Sequence, residues 1–578
     1  MTAESDKGTL PVLVVGAGPT GLTMAAELAR HGVHFRIIDR SPQPSEHSKA
    51  LAVQPRTLEI FEDMGLIETA LAQGLELTEL NAYSEGRRIV HLTLSELDSP
   101  YPFILSLPQS TTENILIQHL KGLGVEVERQ VEFTYLSQNN NEVTAVLHHG
   151  SGREELCRCH WLIGCDGAHS AVRHGLDLSF AGGDFDELFM LADVRIDWSE
   201  KPPAGLCLFN KGDRVIGVIP MPGDRFRIIA VLPPEARVWE GQTDEPGEPP
   251  LSAFQDLMNE CCHIRATLSD PVWLSGFKVR FRKVLQYKAG RVFLAGDAAH
   301  VHSPAGGQGL NTGIQDAYNL AWKLALVVRG LGKSALIDSY HAERDGVAVA
   351  LLKGTNFLTR VNIMRNPIGR QVRNRLAPLL VAQEVVQQRI KGFLSELAIS
   401  YRKSPIVLEH RHSLLKTRVL PGSQPEEPNP NQWLQFSLGP SAGDRVPDAS
   451  LTNLSTESHI RLFAILQGTR HCLLLLTGTD PSADVLQSLS RIAYQAEQKY
   501  DHSIHVHIVI GASSRPASLN WDGSTFLDED LSLHHRLGAG SECLYLIRPD
   551  GYIGCRAQPA DFSTIEEYFE HILIPRTS

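Results

Sequence analysis

The stretch VLVV near the start is an unbroken apolar run, the mark of a parallel strand covered on both faces, and LTMAAELA behind it carries its apolar residues at helical spacing. PVLVVGAGPTGLTMAAELARHGVHFRIIDR therefore predicts strand, tight turn, helix and strand. Two more strand-like runs, WLIGC and RVFLA, each lead into a turn rich in glycine and carrying an acid: CDGAHSAVR after the first, GDAAHVHSPAGGQGLN after the second. The second turn opens onto IQDAYNLAWKLALVV, which has helical spacing. Between the two turns LCLFN, RVIGVIPM and RFRIIAVL, broken by Pro and Gly, read as strands of an antiparallel sheet. The Pro- and acid-rich stretch PPEARVWEGQTDEPGEPP interrupts that region and reads as a solvated loop. Residues 334–403 predict a long helical stretch, with apolar spacing in RLAPLLVAQEVVQQRIKGFL, that covers a sheet or a dimer face. After the linker LPGSQPEEPNPNQW, strands HCLLLLTG and HSIHVHIVIGA alternate with a helical segment, as in a small α/β module.

Composition narrows the class. A chain of 578 residues with 42% hydrophobic content buries several cores. No apolar run approaches the roughly 18–20 residues that span a bilayer, and MTAESDKGTL lacks a signal-peptide core, so a soluble, cytoplasmic protein is expected. A net charge of −12 without a clustered basic face argues against nucleic acid. The nine cysteines include no C-x-x-C pair, so reduced, packed thiols are expected, with no disulfide scaffold and no metal.

The chemistry gathers at the turns. Gly16, Gly18 and Gly21 fit G-x-G-x-x-G at a strand–helix junction, where glycines let the backbone approach a pyrophosphate and the helix N-terminus attracts it. Asp39 ends the next strand, where an acid accepts a ribose hydroxyl and repels a 2′-phosphate, so FAD or NAD fits better than NADP. Asp297 ends a further strand, and Pro304 to Asn311 points free backbone N–H groups at whatever lies ahead. A flavin ring, which gains negative charge on reduction, suits that segment better than NAD. Asp166, Gly167 and Arg173 repeat the logic after WLIGC, and three acid-tipped strand ends suit a long cofactor.

These motifs, the fingerprint, CDGAHSAVR and LAGDAAHVHSPAGGQGLNTGIQDAYNLAWKL, in this order, resemble the single-component FAD-dependent aromatic hydroxylases of the p-hydroxybenzoate hydroxylase fold. GPSAGDRVPDASL and LIRPDGYIGCR resemble the thioredoxin-like tail of the phenol hydroxylase and pentachlorophenol monooxygenase branch. The resemblance implies an α/β chain with a discontinuous Rossmann-type FAD-binding domain (8–80, 108–180, 288–370), an inserted antiparallel-sheet substrate domain (81–107, 181–287), a helical segment and linker (371–430) and a thioredoxin-like domain (431–578). It implies FAD contacts from Gly16, Gly18, Pro19, Thr20, Gly21, Asp39, Arg40, Gln109, Asp166, Gly167, Arg173, Gly296, Asp297, Gly307, Gly309, Leu310 and Asn311. Lys49 falls where many members carry an arginine, and Pro304 stands beside the flavin carbon that carries oxygen. Asp166 and Arg173 would serve both FAD and NAD(P)H, or form an ion pair bracing their turn.

The implied reaction consumes NAD(P)H, with NADPH favoured, and O2, and hydroxylates a phenolic or polycyclic aromatic substrate through a flavin C4a-hydroperoxide. Epoxidation or Baeyer–Villiger oxidation is the alternative. A halogenase would show W-x-W, which is absent, and a flavin-bound sensor would not oxidise NAD(P)H. No substrate base stands out. His300 and His302 are candidates, although hydrogen-bonded structure is the simpler reading. ALAVQPRTLE lacks the acid that phenol hydroxylase has before its R-T-L-E run, which argues against phenol itself. Arg214, Arg225, Arg227, Arg280 and Arg282 could hold a substrate anion, with surface solvation the simpler role for each. His502, His505 and His507 read as one face of a half-exposed strand, and the C-terminal module as structural or dimerising.

Overall fold

The computed structural model describes residues 9–45, 48–202, 204–233, 247–364, 366–411 and 430–575. Most of the loop expected over 233–250 and of the linker over 420–433 lies outside them. The chain forms two units, Met1–Leu97 with Tyr101–Tyr318 and Arg344–Ala398, and Asp98–Pro100 with Asn319–Glu343 and Ile399–Ser578.

The first unit holds the parallel sheet. Leu10–Val15 lies between Phe35–Asp39 and Glu154–Gly164, with Val14 opposite Ile37 on one side and Ile163 on the other. Val292–Leu294 adds parallel to Leu162–Gly164. Val12, Leu13, Val14, Leu162, Ile163, Phe293 and Leu294 are fully buried, as continuous apolar runs require in a sheet covered on both faces. Four parallel strands thus end side by side at Val15, Asp39, Gly164 and Leu294, where an open α/β sheet binds its ligand.

A second sheet of the same unit is built on two long strands, Phe180–Trp198 and Ala266–Val284, paired antiparallel with register shifts after Asp184 and Asp193. Arg225–Leu232, Arg214–Met221 and Leu206–Lys211 follow as the three apolar runs predict, and Glu79–Ser84 and Arg87–Thr93 complete that side. The helix Leu251–Cys261 seals the sheet with Ala253, Phe254, Leu257, Met258 and Cys261. At the opposite edge His300–Val301, inside the turn that follows Val292–Leu294 and opens with Gly296 and Asp297, the GD turn, pairs with Arg282 and Lys283.

The stretch expected as helical over 334–403 is three helices, Ser334–Asn362, Pro367–Val381 and Glu384–Ser395. Asn366 caps the second, its Oδ1 accepting from Ile368 N at 2.9 Å, and Pro367 at the first helical position suits a start and not a continuation. That helix leaves Ile368, Val372, Leu376, Leu379 and Leu380 exposed.

The second unit carries an eight-stranded sheet centred on His471–Gly478, which pairs parallel with Ile504–Ile510 and antiparallel with Ser541–Ile547. His502 precedes the strand instead of sharing its face, because a three-residue step breaks the two-residue period; His505 and His507 do share it, their rings 6.4 Å apart. The sheet unit encloses a buried charge cluster. Glu343 accepts from Arg548 at 2.7 and 3.0 Å, from Lys323 at 2.7 Å and from Asn319 at 2.6 Å. Asp550 accepts from Arg548 Nε at 2.9 Å and from Trp322 Nε1 at 3.1 Å. Burial brings the Lys323 ammonium down to about 8 although Glu343 opposes the fall. Of the nine cysteines, all free, only Cys262 is partly exposed.

Candidate active site

Close backbone approach assembles the site. Gly16 adopts φ +101° and has no room for a Cβ, which would stand 2.5 Å from Cys165 O. A Cβ on Gly21 would stand 1.9 Å from Gly16 O, so turn and helix touch as the fingerprint requires. A Cβ on Gly18, by contrast, meets nothing within 4 Å, leaving that backbone open for a ligand. The helix Pro19–Arg30 starts there with Pro19 in its first turn, no capping side chain and no acid, so its N–H groups suit an anion. We expect Gly21→Ala to lose about 1–3 kcal/mol of stability by overpacking and to abolish bound flavin. Urea unfolding and the visible spectrum of the purified protein check this, and a yellow Gly21→Ala of unchanged midpoint would refute it.

Thr20 carries the fingerprint to the GD turn. Its Oγ1 lies where a Cβ on Gly296 or Gly313 would fall, at 2.5 and 2.3 Å. Asp39 Oδ2 accepts from Ala17 N at 2.7 Å and Oδ1 from Ser41 N at 2.8 Å, which fixes the carboxylate at the strand end; Arg40 points to solvent. Asp297 is exposed at its own strand end.

In the DG turn Asp166 Oδ2 accepts from Val172 N at 3.1 Å, while burial raises the acid and Oδ1 is buried with no partner among the described residues. Arg173 does not brace the turn through Asp166. Its guanidinium donates to Ala298 O at 3.0 Å and Ala168 O at 2.8 Å and stacks 4.0 Å from the Phe180 ring centroid. It therefore ties the DG turn to the GD turn directly.

Asn311 stitches the glycine-rich GD loop to the segment after Lys49. Its Oδ1 accepts from Gln54 N at 2.8 Å, and its Nδ2 donates to Ala52 O at 2.9 Å and Gly307 O at 2.8 Å. Gln54 Nε2 donates to Gly306 O at 2.9 Å. Gln109 is engaged within the protein, accepting from Ala50 N at 3.1 Å and donating to Glu113 at 2.8 Å. The Lys49 side chain is exposed, and its carbonyl accepts from Arg227 at 3.4 Å. Pro304 opens the loop, its carbonyl accepting from Gly307 N at 3.0 Å.

The two histidines are structural partners. His300 Nε2 lies 2.7 Å from Asp316 Oδ2, and His302 Nδ1 donates to Ser303 O at 2.7 Å. Burial pushes His302 down to about 4, so it stays neutral. Arg227 corrects the reading of that group as surface cations: it is 1% exposed and gripped by Asp193 at 2.7 and 2.8 Å. Arg214, Arg225 and Arg282 instead pair with Glu260, Asp270 and Asp184.

Asp316 was not legible as a site residue, yet it organises the turn. It accepts from Gly296 N at 3.0 Å, His300 Nε2 at 2.7 Å and Arg344 Nε at 2.6 Å. Burial works against the charge, but Arg344 and His300 hold the carboxyl below its ordinary range.

The residues fit FAD. An open glycine backbone stands at a helix N-terminus, carboxylates at three strand ends suit hydroxyl donors, and the Oε1 atoms of Gln54 and Gln308 are buried acceptors without described partners beside the GD loop. Residues 9–355 match the family model described as FAD binding domain, and the chain belongs to that family. It is 33% identical to the 6-methylpretetramide 4-monooxygenase of Streptomyces rimosus, over 96% of this chain and 92% of that protein. It is 32% identical to the pentachlorophenol 4-monooxygenase of Sphingobium chlorophenolicum, over 96% and 95%. The anhydrotetracycline hydroxylase structure from Streptomyces rimosus superposes with a TM-score of 0.71 at 26% identity, over 99% of this chain and 100% of that one. The protein is a flavin-dependent monooxygenase.

Proposed function

We propose that this enzyme takes NAD(P)H, with NADPH favoured, and O2, and hydroxylates a phenolic or polycyclic aromatic compound. The observation that carries the reading is the convergence of the fingerprint, DG and GD turns at one row of parallel strand ends, with Gly18 open and Asp297 exposed beside them. Relatives named for pentachlorophenol and 6-methylpretetramide support an aromatic substrate. FAD, when bound, supplies the redox and oxygen-transfer chemistry. Asp39 would accept from the ribose hydroxyls, backbone N–H groups of Gly18, Thr20 and Gly21 would receive the pyrophosphate at the turn that Gly16 and Pro19 shape, and Asp297 would accept from the ribityl chain. Gly307, Gly309, Leu310 and Asn311 would present the start of the GD helix, Gly309–Val328, to the pyrimidine end of the ring, with Pro304 beside the carbon that carries oxygen. Arg40, Lys49, Gln109, Asp166, Gly167, Arg173 and Gly296 would complete the cofactor contacts. The Phe180–Val284 sheet would hold the substrate and exclude water. We read the 431–578 module as thioredoxin-like and structural, and the exposed stripe on Pro367–Val381 supports a dimer face.

The test follows NADPH and NADH oxidation under air with phenols, polycyclic quinones and aromatic acids, while trapping peroxide. Oxidation stimulated by one compound, with a product heavier by one oxygen, is the expected result. A yellow protein that oxidises neither nucleotide with any of them would refute the reading, and an oxygen inserted into a ring or added across a double bond would replace hydroxylation by the alternative.

A further inference from the structure

The GD loop has a second support. Helix Glu384–Ser395 ends at Glu396, which adopts φ 60° and ψ 10°, a left-handed cap usually given to glycine or asparagine. Just before it, Phe393 O accepts from Gln308 Nε2 at 2.6 Å, and Leu394 lies against Gly306. The end of this helix therefore abuts the loop directly.

Glu396 turns its carboxyl, 4% exposed as a residue, onto the first turns of the GD helix. Its Oε2 accepts from Gln315 Nε2, and Oε1 lies 3.5 Å from Thr312 Oγ1. The charged groups around it are Arg344, from Ser334–Asn362, and Asp316, from the GD helix. Arg344 is bound by Asp316 at 2.6 Å and by Thr312 O at 3.1 Å. Lys391, on Glu396's own helix, is held by Glu96 at 2.8 Å. No ion pair to Glu396 occurs among the described residues. Burial pushes its carboxyl up to about 8, with Arg344 only partly opposing. Gln315 Oε1 is buried without a described partner, so a protonated Glu396 can donate to it once the amide turns over.

We propose that Glu396 is a positioning residue that braces the GD loop as a neutral acid, leaving the positive end of the GD helix free to face the electron-rich ring of FAD. The inference rests on the FAD placement proposed above. A carboxylate at this point would set a fixed negative charge against the helix end on which reduced flavin depends.

The experiment measures the FAD dissociation constant by fluorescence from pH 6.5 to 9.5 for wild type, Glu396→Gln and Glu396→Ala, with thermal unfolding of each apoprotein as a readout independent of turnover. Wild-type affinity is expected to hold to near pH 8 and then weaken, approaching about tenfold per pH unit. Glu396→Gln, neutral at every pH, stays flat, and Glu396→Ala binds more weakly throughout. The raised folded value also means that the neutral acid stabilises the apoprotein fully below about pH 4.5, and that this contribution is lost as pH rises to about 8. The Glu396→Gln apoprotein should lack that decline. A flat wild-type affinity overturns the proposal whatever the variants do, and so do parallel wild-type and Glu396→Gln profiles. If Glu396→Gln fails to fold, Glu396→Met takes its place under the same criteria. Failure to bind FAD at any pH would overturn the cofactor placement, and this inference with it, whereas FAD binding with parallel profiles overturns this inference alone.

Discussion

Asp316→Ala is expected to destabilise the protein by about 3–5 kcal/mol, because removing one partner of a buried pair leaves the other charge uncompensated. Arg344, whose side chain is fully buried, would lose its carboxylate at 2.6 Å, and the change would also free the Gly296 N–H and the His300 ring, the two ends of the turn that carries Asp297. Asp316→Asn should fail almost as badly, since an amide oxygen cannot serve three donors and carries no charge for Arg344. Because the folded carboxyl is held below its ordinary value, its contribution is complete above about pH 4 and is lost as pH falls through the folded value. Wild type should therefore shed this stability in acid, and Asp316→Ala should have less to shed. Urea unfolding at pH 7 and at about pH 2, below the unfolded value, decides the matter, and an Asp316→Ala within about 1 kcal/mol of wild type at pH 7 would contradict it.

The second large effect lies in the other unit. Arg548→Ala removes four hydrogen bonds to Glu343 and Asp550 and the packing of the guanidinium on the rings of Trp322, Tyr401 and Tyr552, with centroids at 5.3, 5.4 and 5.9 Å. Glu343, held low by Arg548 and Lys323 in spite of its burial, would keep Lys323 as its one cationic partner among the described residues. A loss of about 3–5 kcal/mol is expected, with a fall in Tm of at least about 6 °C. Arg548→Lys should recover little, because an ammonium cannot bind both carboxylates in the planar fork geometry. Truncation after residue 398 removes Ser404, Arg548 and Asp550 together, and should leave Asn319, Lys323 and Glu343 unable to form their cluster. A soluble truncated protein with an undiminished Tm would show the cluster to be dispensable.

What the sequence disclosed was local. Gly16, Gly18, Gly21 and Asp39 sit on one strand–turn–helix–strand unit whose spacing fixes their geometry, and the acid-tipped turns at Asp166 and Asp297 follow apolar runs that read as buried strands. Asp316 stands inside the run GLNTGIQDAYNLAWKL, but its role depends on Arg344, brought to it by a separate helix. Arg227 and Asp193 are direct cross-strand partners, a pairing that exists only once the register is set, and no register is written in the separate strands. Glu396 hides its part in a left-handed cap that its residue type does not announce. The helical stretch from Ser334 divides at Asn366 and Pro367 because a capping residue and a proline outweigh a continuing apolar period.

The packing of the cysteines bears on how long such an enzyme survives its own work. Oxygen that is reduced without reaching a substrate leaves as hydrogen peroxide, which attacks thiolates to give sulfenic acids. Here burial pushes Cys159 and Cys207 up to about 12 and Cys261 up to about 11, and raises Cys157, Cys165 and the partly exposed Cys262 as well. Peroxide released by uncoupled turnover would therefore meet few thiolates at these six positions, and oxidation of the protein would be slow there.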